Sequence, residues 1–147
     1  MKSKKDLSID KIYPFEKHSK QEFPLFIARI SAGFPSPADD YLDKKLDLNE
    51  YLIKHPASTF FVRVQGDSMI NAGIHSGDIL IVDRALEPTD NKIVIAVLEG
   101  ELTVKRIRKI KDKLYLAAEN PDFSPIEINQ EMNFEVWGIV TYVIHKV

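Results

Sequence analysis

The sequence contains no cysteine, which excludes disulfides, thiolate metal sites and cysteine nucleophiles. Long apolar runs are also missing: no stretch approaches the roughly 18 residues of a membrane-spanning helix. The basic start is not followed by the apolar segment of a secretory signal. The sequence indicates no cofactor and no metal site, because its histidines lack the spacing of metal ligands; they are His18, His55, His75 and His145. We therefore expect a cytoplasmic protein.

Apolar residues are plentiful by comparison, at 44% of 147 residues, which suffices for one domain with a sizeable core plus an appendage. The net charge of −2 is unevenly distributed. Residues 1–32 carry seven basic and four acidic side chains, a charge of +3, which leaves −5 for the rest. The basic segment is typical of a solvated tail, and a contact with nucleic acid or an acidic partner is the alternative. The negative remainder argues against a nucleic-acid-binding barrel.

Hydrophobic patterning divides the chain into an arm and a domain. Residues 1–38 contain several prolines and show no sustained helical or strand period, which predicts an extended N-terminal arm. Residues 39–147 are predicted to form the domain. Its one short helix is expected at Asp47–Ile53, with Asp47 as the N-cap.

The rest of the domain has strand patterns, rich in β-branched and aromatic residues. We expect strands at Thr59–Val64, Ile79–Asp83, Lys92–Leu98, Glu101–Ile107, Leu114–Ala118 and Phe134–Ile144. The run Ile79–Asp83 is too continuously apolar for a half-exposed strand, so it is predicted to be central. Glu99-Gly100 predicts a hairpin turn, and Gly138 predicts a bend or bulge in the last strand. These features indicate a mainly β domain of antiparallel hairpins, partly barrel-like in form.

One segment breaks the strand pattern. After the first predicted strand, Gly66 frees the backbone, and Ser68 lies between Asp67 and an apolar pair. This predicts a serine at the mouth of a sheet with its hydroxyl exposed, where a nucleophile would be useful. Gly-Asp-Ser is also common turn chemistry, so the motif alone does not decide between the two.

A serine nucleophile needs a base to activate it. His75 follows in a predicted turn, but nothing in the sequence pairs it with a carboxylate. The other candidate is Lys105, whose strand neighbours are largely apolar on both faces. Burial among them would keep its amine uncharged, as a lysine base near neutral pH requires. A lysine that extends from the strand edge into water is the alternative.

Three motifs together resemble the Ser-Lys self-cleaving proteins of the LexA and UmuD group, and the UmuD type most closely. They are Gly66-Asp67-Ser68-Met69, Ser76–Asp83 and Gly100–Arg106. The separation of 37 positions between Ser68 and Lys105 also fits, and the resemblance runs from about residue 23 to the C terminus. It implies a LexA/signal-peptidase-like core of coiled antiparallel sheets and a homodimer.

The resemblance also implies roles for particular residues. Ser68 would be the nucleophile and Lys105 the base, and the scissile bond would be Ala32-Gly33. Backbone N–H groups of Asp67 and Ser68 would meet the developing oxyanion. Self-cleavage would be stimulated by a RecA–single-stranded DNA filament, and the trimmed product would serve a UmuC-type translesion polymerase.

Other interpretations of the sequence differ in testable ways. A non-catalytic dimeric accessory subunit would bind a polymerase through its acidic body, and Ser68→Ala would then have no effect. A signal-peptidase-like enzyme would share the Ser-Lys chemistry, but the sequence offers no membrane anchor, so no membrane partner is expected. Residues 1–22 are too short for the helix-turn-helix domain of a LexA-type repressor, so we expect no direct sequence-specific DNA binding.

Overall fold

The structure is a computed structural model that describes residues 5–16, 22–26 and 42–147. It divides the chain into two units, of which the first is Met1–Phe15 with Ala57–Val147 and the second is Glu16–Pro56. Within the described residues, no helix has the length and apolar character needed to cross a bilayer. The predicted boundary between an arm at 1–38 and a domain at 39–147 stays a prediction.

Ten strands and one α-helix make up the regular structure of the described residues. They are β1 (Ser8–Pro14), β2 (Glu22–Phe26), β3 (Leu42–Asp47), α1 (Leu48–Leu52), β4 (Thr59–Gln65), β5 (Ile79–Asp83), β6 (Ile93–Leu98), β7 (Glu101–Ile110), β8 (Lys113–Ala117), β9 (Ile126–Ile128) and β10 (Phe134–Ile144). Short 3₁₀ turns lie at Pro56–Ser58 and Ile70–Ala72. The mainly β fold class predicted from the sequence is confirmed.

The first unit is an eight-stranded antiparallel sheet with the strand order β1-β4-β5-β10-β6-β7-β8-β9. β1 also contacts β7, although four strands separate them in this order. The sheet is therefore curled, which agrees with the partly barrel-like form expected from the sequence. This curl brings the start of β1 to the middle of β7.

The second unit contains the hairpin of β2 and β3, which pair antiparallel, and the helix α1. The Asp47 side chain accepts a hydrogen bond from the Asn49 N–H at 3.0 Å. The predicted helix and its N-cap are therefore confirmed, because the carboxylate satisfies one of the N–H groups that a first turn leaves unpaired.

The strongest strand prediction concerned β5, and the structure confirms its central place. β5 lies between β4 and β10, and its last four residues are buried. The hairpin turn between β6 and β7 is confirmed as well. Both Glu99 and Gly100 have positive φ, at 50° and 81°, as a two-residue turn that follows the twist of the strands requires.

Gly138 lies at the irregularity predicted for the last strand. The pairing of β10 with β6 shifts register between Val136 and Gly138. A Cβ atom at Gly138 would lie 2.6 Å from Cγ1 of Val82, a fully buried side chain in β5. The glycine therefore lets two adjacent strands approach more closely than a side chain would permit.

Gly138→Ala is expected to lower the free energy of unfolding by about 1–3 kcal/mol, because the new methyl group overpacks the Val82 contact. Urea denaturation of the variant beside the parent measures this difference. A loss below about 0.5 kcal/mol, the usual scatter of neutral surface changes, would show that β5 and β10 separate freely at this point.

The sequence patterns did not predict β1, β2, β3 or β9. Six of the seven residues of β1 are exposed, so the strand has no apolar alternation that a pattern would reveal. It is an edge strand held mainly by its pairing with β4. β9 has three residues, which is too short for any period.

Two clusters of buried apolar side chains form the core of the first unit. The larger cluster consists of Leu7, Val62, Val64, Met69, Ile74, Leu80, Val82, Ile95 and Val104. The other consists of Val94, Ala96, Ile107, Leu116 and Ile139. Leu7, from the N-terminal segment, is thus part of the core.

Candidate active site

Ser68 lies in a loop that begins at the end of β4. The loop is held from both sides: the Met69 side chain is fully buried in the core, and the Ser68 carbonyl oxygen accepts a hydrogen bond from the Glu119 N–H at 2.9 Å. The Asn120 side chain also donates to the Asp67 carbonyl oxygen at 2.9 Å. These contacts fix the loop, as a nucleophile that must be positioned requires.

The prediction that the Ser68 hydroxyl is exposed is wrong, because Ser68 has no exposed surface. The Leu7 N–H donates a hydrogen bond to Ser68 Oγ at 2.9 Å, and the Leu7 side chain is itself 2% exposed. The sequence patterns gave no sign of this cover, because they did not predict that the N-terminal segment joins the main sheet.

Lys105 lies on β7 and is 3% exposed. Its ammonium group donates hydrogen bonds to Thr103 Oγ1 at 3.1 Å and to the Val104 carbonyl oxygen at 3.3 Å. The contact with Thr103 confirms that the two side chains share a face, as strand alternation predicts. The prediction of a buried lysine is confirmed, and the alternative of an amine extended into water is wrong.

Ser68 and Lys105 contact the same carboxylate, that of Asp6. Lys105 Nζ lies 2.5 Å from Asp6 Oδ1, and the Ser68 hydroxyl lies close enough to this carboxyl to lower its pKa. Asp6 immediately precedes Leu7, so one short segment reaches both predicted catalytic residues. Nothing in the sequence singled out Asp6, since it lies in a polar, lysine-rich stretch.

The charge of Asp6 is stabilised in this site. Partial burial raises the pKa of the Asp6 carboxyl, but the hydrogen bonds from Lys105 and Ser68 and the positive charge of Lys105 lower it, and the net pKa lies below the usual range. The opposite charge and the hydrogen bonds both favour the ionised carboxylate.

This lowered pKa predicts a pH dependence of stability. Between the folded and unfolded pKa values of Asp6, the unfolded chain binds more protons, so the stability that Asp6 contributes is present above the unfolded pKa and is lost as pH falls through the folded pKa. Urea denaturation of the parent and of Asp6→Asn, repeated as the pH is lowered from neutral, should show their difference narrowing. A difference that stays constant over this range would contradict the ionic role of Asp6.

The predicted oxyanion donors lie in the same loop. The Asp67 N–H donates to the Lys5 carbonyl oxygen at 3.0 Å, so this group is directed at a peptide carbonyl. The two residues of the predicted scissile bond, Ala32 and Gly33, lie outside the described residues. Their assignment and that of the oxyanion donors stay predictions.

A second group of polar side chains, on another part of the first unit, has the donors that a metal ion would need. His75, Asp78 and His145 place one ligand atom each within 4.8 Å of one another. The spacing of the histidines gave no sign of this, because β5 and β10 bring together residues 70 positions apart. Both Asp78 oxygens already have partners: His145 Nδ1 at 2.6 Å and the His75 N–H at 2.7 Å. The group therefore connects the end of β10 to the turn before β5.

Comparison with known proteins agrees with the geometry. The family model described as Peptidase S24-like matches residues 24–141. Protein SamA of Salmonella typhimurium strain LT2 is 46% identical over 135 residues, which is 92% of this chain and 94% of SamA. Protein ImpA of Salmonella typhimurium is 47% identical over 124 residues, or 84% of this chain and 83% of ImpA. The LexA repressor of Pasteurella multocida is 37% identical over 133 residues, or 89% of this chain and 62% of the repressor.

These matches support a serine peptidase in general and a place among the UmuD-like proteins of SOS mutagenesis. They agree with the family resemblance of the sequence and with the mainly β fold. The chain belongs to the Peptidase S24-like family, in the LexA and UmuD group that its motifs resemble.

Proposed function

We propose that this protein is a UmuD-type peptidase that cleaves its own Ala32-Gly33 bond, with Ser68 as nucleophile and Lys105 as base. The observation that supports this assignment most directly is that both side chains are buried and contact the same Asp6 carboxylate. A nucleophile and its base must come within hydrogen-bond reach of each other, and a shared carboxylate neighbour places Ser68 and Lys105 close together although no hydrogen bond joins them here. Membership of a peptidase family supports the same chemistry.

The reaction begins when Ala32-Gly33 lies beside Ser68. Uncharged Lys105 takes the hydroxyl proton, and Ser68 Oγ attacks the Ala32 carbonyl carbon. Backbone N–H groups of Asp67 and Ser68 stabilise the oxyanion. Lys105 then gives its proton to the departing Gly33 amine, and water hydrolyses the resulting ester with Lys105 again as base.

The Asp6 ion pair opposes this reaction in the structure described. Lys105 Nζ donates a hydrogen bond to the Asp6 carboxylate at 2.5 Å, and a nitrogen engaged in this way is not available to accept the Ser68 proton. Catalysis by this mechanism therefore requires Asp6 to leave Lys105.

The biological partners follow from the UmuD-type assignment. The RecA–single-stranded DNA filament stimulates cleavage by favouring the state in which the cleavage segment is docked, and contributes no catalytic group of its own. Cleavage leaves a product of 115 residues, Gly33–Val147. This product forms a homodimer in the cytoplasm and acts as an accessory subunit of a UmuC-type translesion polymerase.

Incubation with the RecA–single-stranded DNA filament, followed by intact mass spectrometry, tests the proposal. The parent chain is expected to yield a body that begins at Gly33, and Ser68→Ala is expected to stay whole. Ser124→Ala is the matched control, because Ser124 is exposed and outside the site, and it should be cut like the parent. A parent chain that stays intact, or a Ser68→Ala chain that is cut, would contradict the proposal.

A non-catalytic dimeric accessory subunit is the second candidate, and one observation favours it. Ser68 has no exposed surface and is covered by Leu7, so a substrate cannot reach its hydroxyl in this structure. On this alternative, Ser68→Ala behaves like the parent in every assay. The cleavage of the parent chain and of Ser68→Ala separates the two candidates.

A further inference from the structure

We propose that the Ser68–Lys105 site and the edge of β4 form a binding site for an extended peptide that carries an acidic residue followed by leucine. Its built-in ligand is the chain's own segment Lys5–Pro14, which excludes the cleavage segment while it is bound. The claim that the bound segment excludes the cleavage segment rests on the proposed self-cleavage. The claim that the site binds such a peptide is independent of it.

The peptide backbone is bound by strand addition. β1 pairs antiparallel with β4 from Ser8 opposite Gln65 to Pro14 opposite Phe60. Since β5 pairs with the other edge of β4, β1 fills the edge that would otherwise be open. Recognition of this kind takes affinity from backbone hydrogen bonds and specificity from the side chains at particular positions.

Two side chains at the start of the segment supply the specificity. Leu7 is 2% exposed and belongs to the core cluster that contains Val64 and Met69. Asp6 contacts Lys105 Nζ at 2.5 Å and lies beside Ser68, whose Oγ accepts the N–H of the next residue, Leu7. The site therefore pairs an apolar recess with a buried cation, which suits an aliphatic residue directly after an acidic one.

Gly66 allows the peptide to pass this closely. A Cβ atom at Gly66 would lie 2.2 Å from the Asp6 carbonyl oxygen and 2.7 Å from Leu7 Cα. No side chain fits at that separation, so the approach of the two backbones depends on glycine. The contact is made by peptide backbone, which indicates a surface shaped for an extended chain.

Three groups that catalysis needs are occupied by this one segment. Ser68 Oγ accepts the Leu7 N–H, the Asp67 N–H donates to the Lys5 carbonyl oxygen, and Lys105 is paired with Asp6. A second peptide cannot reach the same atoms at the same time. The rate of self-cleavage is therefore limited by the fraction of molecules in which the segment has left.

Charge reversal at Asp6 tests this proposal in the full-length chain. Asp6→Lys places a second cation beside Lys105 and should expel the segment. We expect self-cleavage without filament to become about tenfold faster. The loss of an adjacent opposite charge changes an equilibrium by about tenfold or more, and here the equilibrium is that between the bound and the released segment. Glu131→Lys is the matched control, because it makes the same charge reversal at an exposed residue outside the segment, and its rate should match the parent's.

A peptide added in trans tests the binding site directly. A synthetic peptide with the sequence of residues 4–15 should slow the cleavage of Asp6→Lys back toward the parent rate. The same peptide carrying Asp6→Lys should not slow it. Equal inhibition by the two peptides, or by neither, would overturn the assigned role of the acidic residue.

Hydrogen exchange separates failure of this inference from failure of the proposed function. In the parent, the Asp67 amide donates to the Lys5 carbonyl oxygen. In Asp6→Lys this amide should lose protection from exchange, while the Leu80 amide in β5 should keep its protection and so report an intact sheet. If the Asp67 amide keeps its protection in Asp6→Lys, the inference is overturned. It is also overturned if this amide loses protection but Asp6→Lys, while able to cut itself, cuts no faster than the parent. If no variant cuts under any condition, the proposed function fails, and the exchange at Asp67 alone decides whether the segment is bound as described.

Discussion

Lys105→Met is expected to reduce the rate of self-cleavage by about a thousandfold or more, in line with the loss of a general base that acts with its nucleophile as a unit. Methionine has a similar length and an apolar end, so it fills the space of the buried lysine stem without offering a base. Quantifying the fragment that begins at Gly33 by mass spectrometry, over hours with and without filament, measures the loss.

The matched control for this variant is Lys109→Met. Lys109 lies on the same strand but is exposed, so its loss should leave the cleavage rate unchanged. The fold should survive Lys105→Met: the Asp6 carboxylate that loses its partner is 53% exposed, so water solvates it and the expected stability change is within about 1 kcal/mol. Cleavage of Lys105→Met at a rate near the parent's would exclude Lys105 as the base.

Gly66→Ala is expected to lower the free energy of unfolding by about 3 kcal/mol or more. Two costs combine: Gly66 has a φ of 112°, which L side chains rarely adopt, and its new methyl group would meet the Asp6 carbonyl oxygen at 2.2 Å. Relief of the clash requires the segment around Leu7 to move away, which removes a buried leucine from the core. Urea denaturation monitored by tryptophan fluorescence gives the difference in free energy.

Gly100→Ala controls for the backbone cost in this experiment. Gly100 also has a positive φ, at 81°, but no atom of the described residues lies within 4 Å of a Cβ atom placed there. Its substitution should cost about 1–2 kcal/mol, the ordinary penalty of a left-handed L residue. Equal losses in the two variants would show that the approach of Asp6 to Gly66 contributes nothing to stability.

The strands that form the core were predictable because buried strands have recognisable runs of apolar residues. Ile79–Asp83 is continuously apolar because both of its faces are covered, and its predicted bounds match β5. Gly138 was recognisable because a glycine inside an otherwise β-branched run usually marks a bulge or a close approach of two backbones. The sequence of β1 shows no such pattern, because an edge strand that is held by backbone pairing tolerates almost any side chains.

The site was predictable only in part, for a related reason. Ser68 and Lys105 stand out by their local surroundings, Ser68 in a strand-ending Gly-Asp-Ser motif and Lys105 among apolar strand residues. Asp6 does not, because its importance arises from the curl of a sheet that brings β1 to β7. The exposure of Ser68 was predicted wrongly from the same omission, since the residue that covers it is Leu7.

Self-cleavage by Ser68 and Lys105 is tested most directly by the intact mass of the purified parent chain after incubation without filament. The pH should run from about 7 to about 10, where a lysine amine loses its proton. We expect two fragments, residues 1–32 and Gly33–Val147, formed at a rate that rises with pH, because the proposed mechanism needs an uncharged general base. A chain that stays whole at every pH, or that is cut at another bond, would contradict the proposed mechanism.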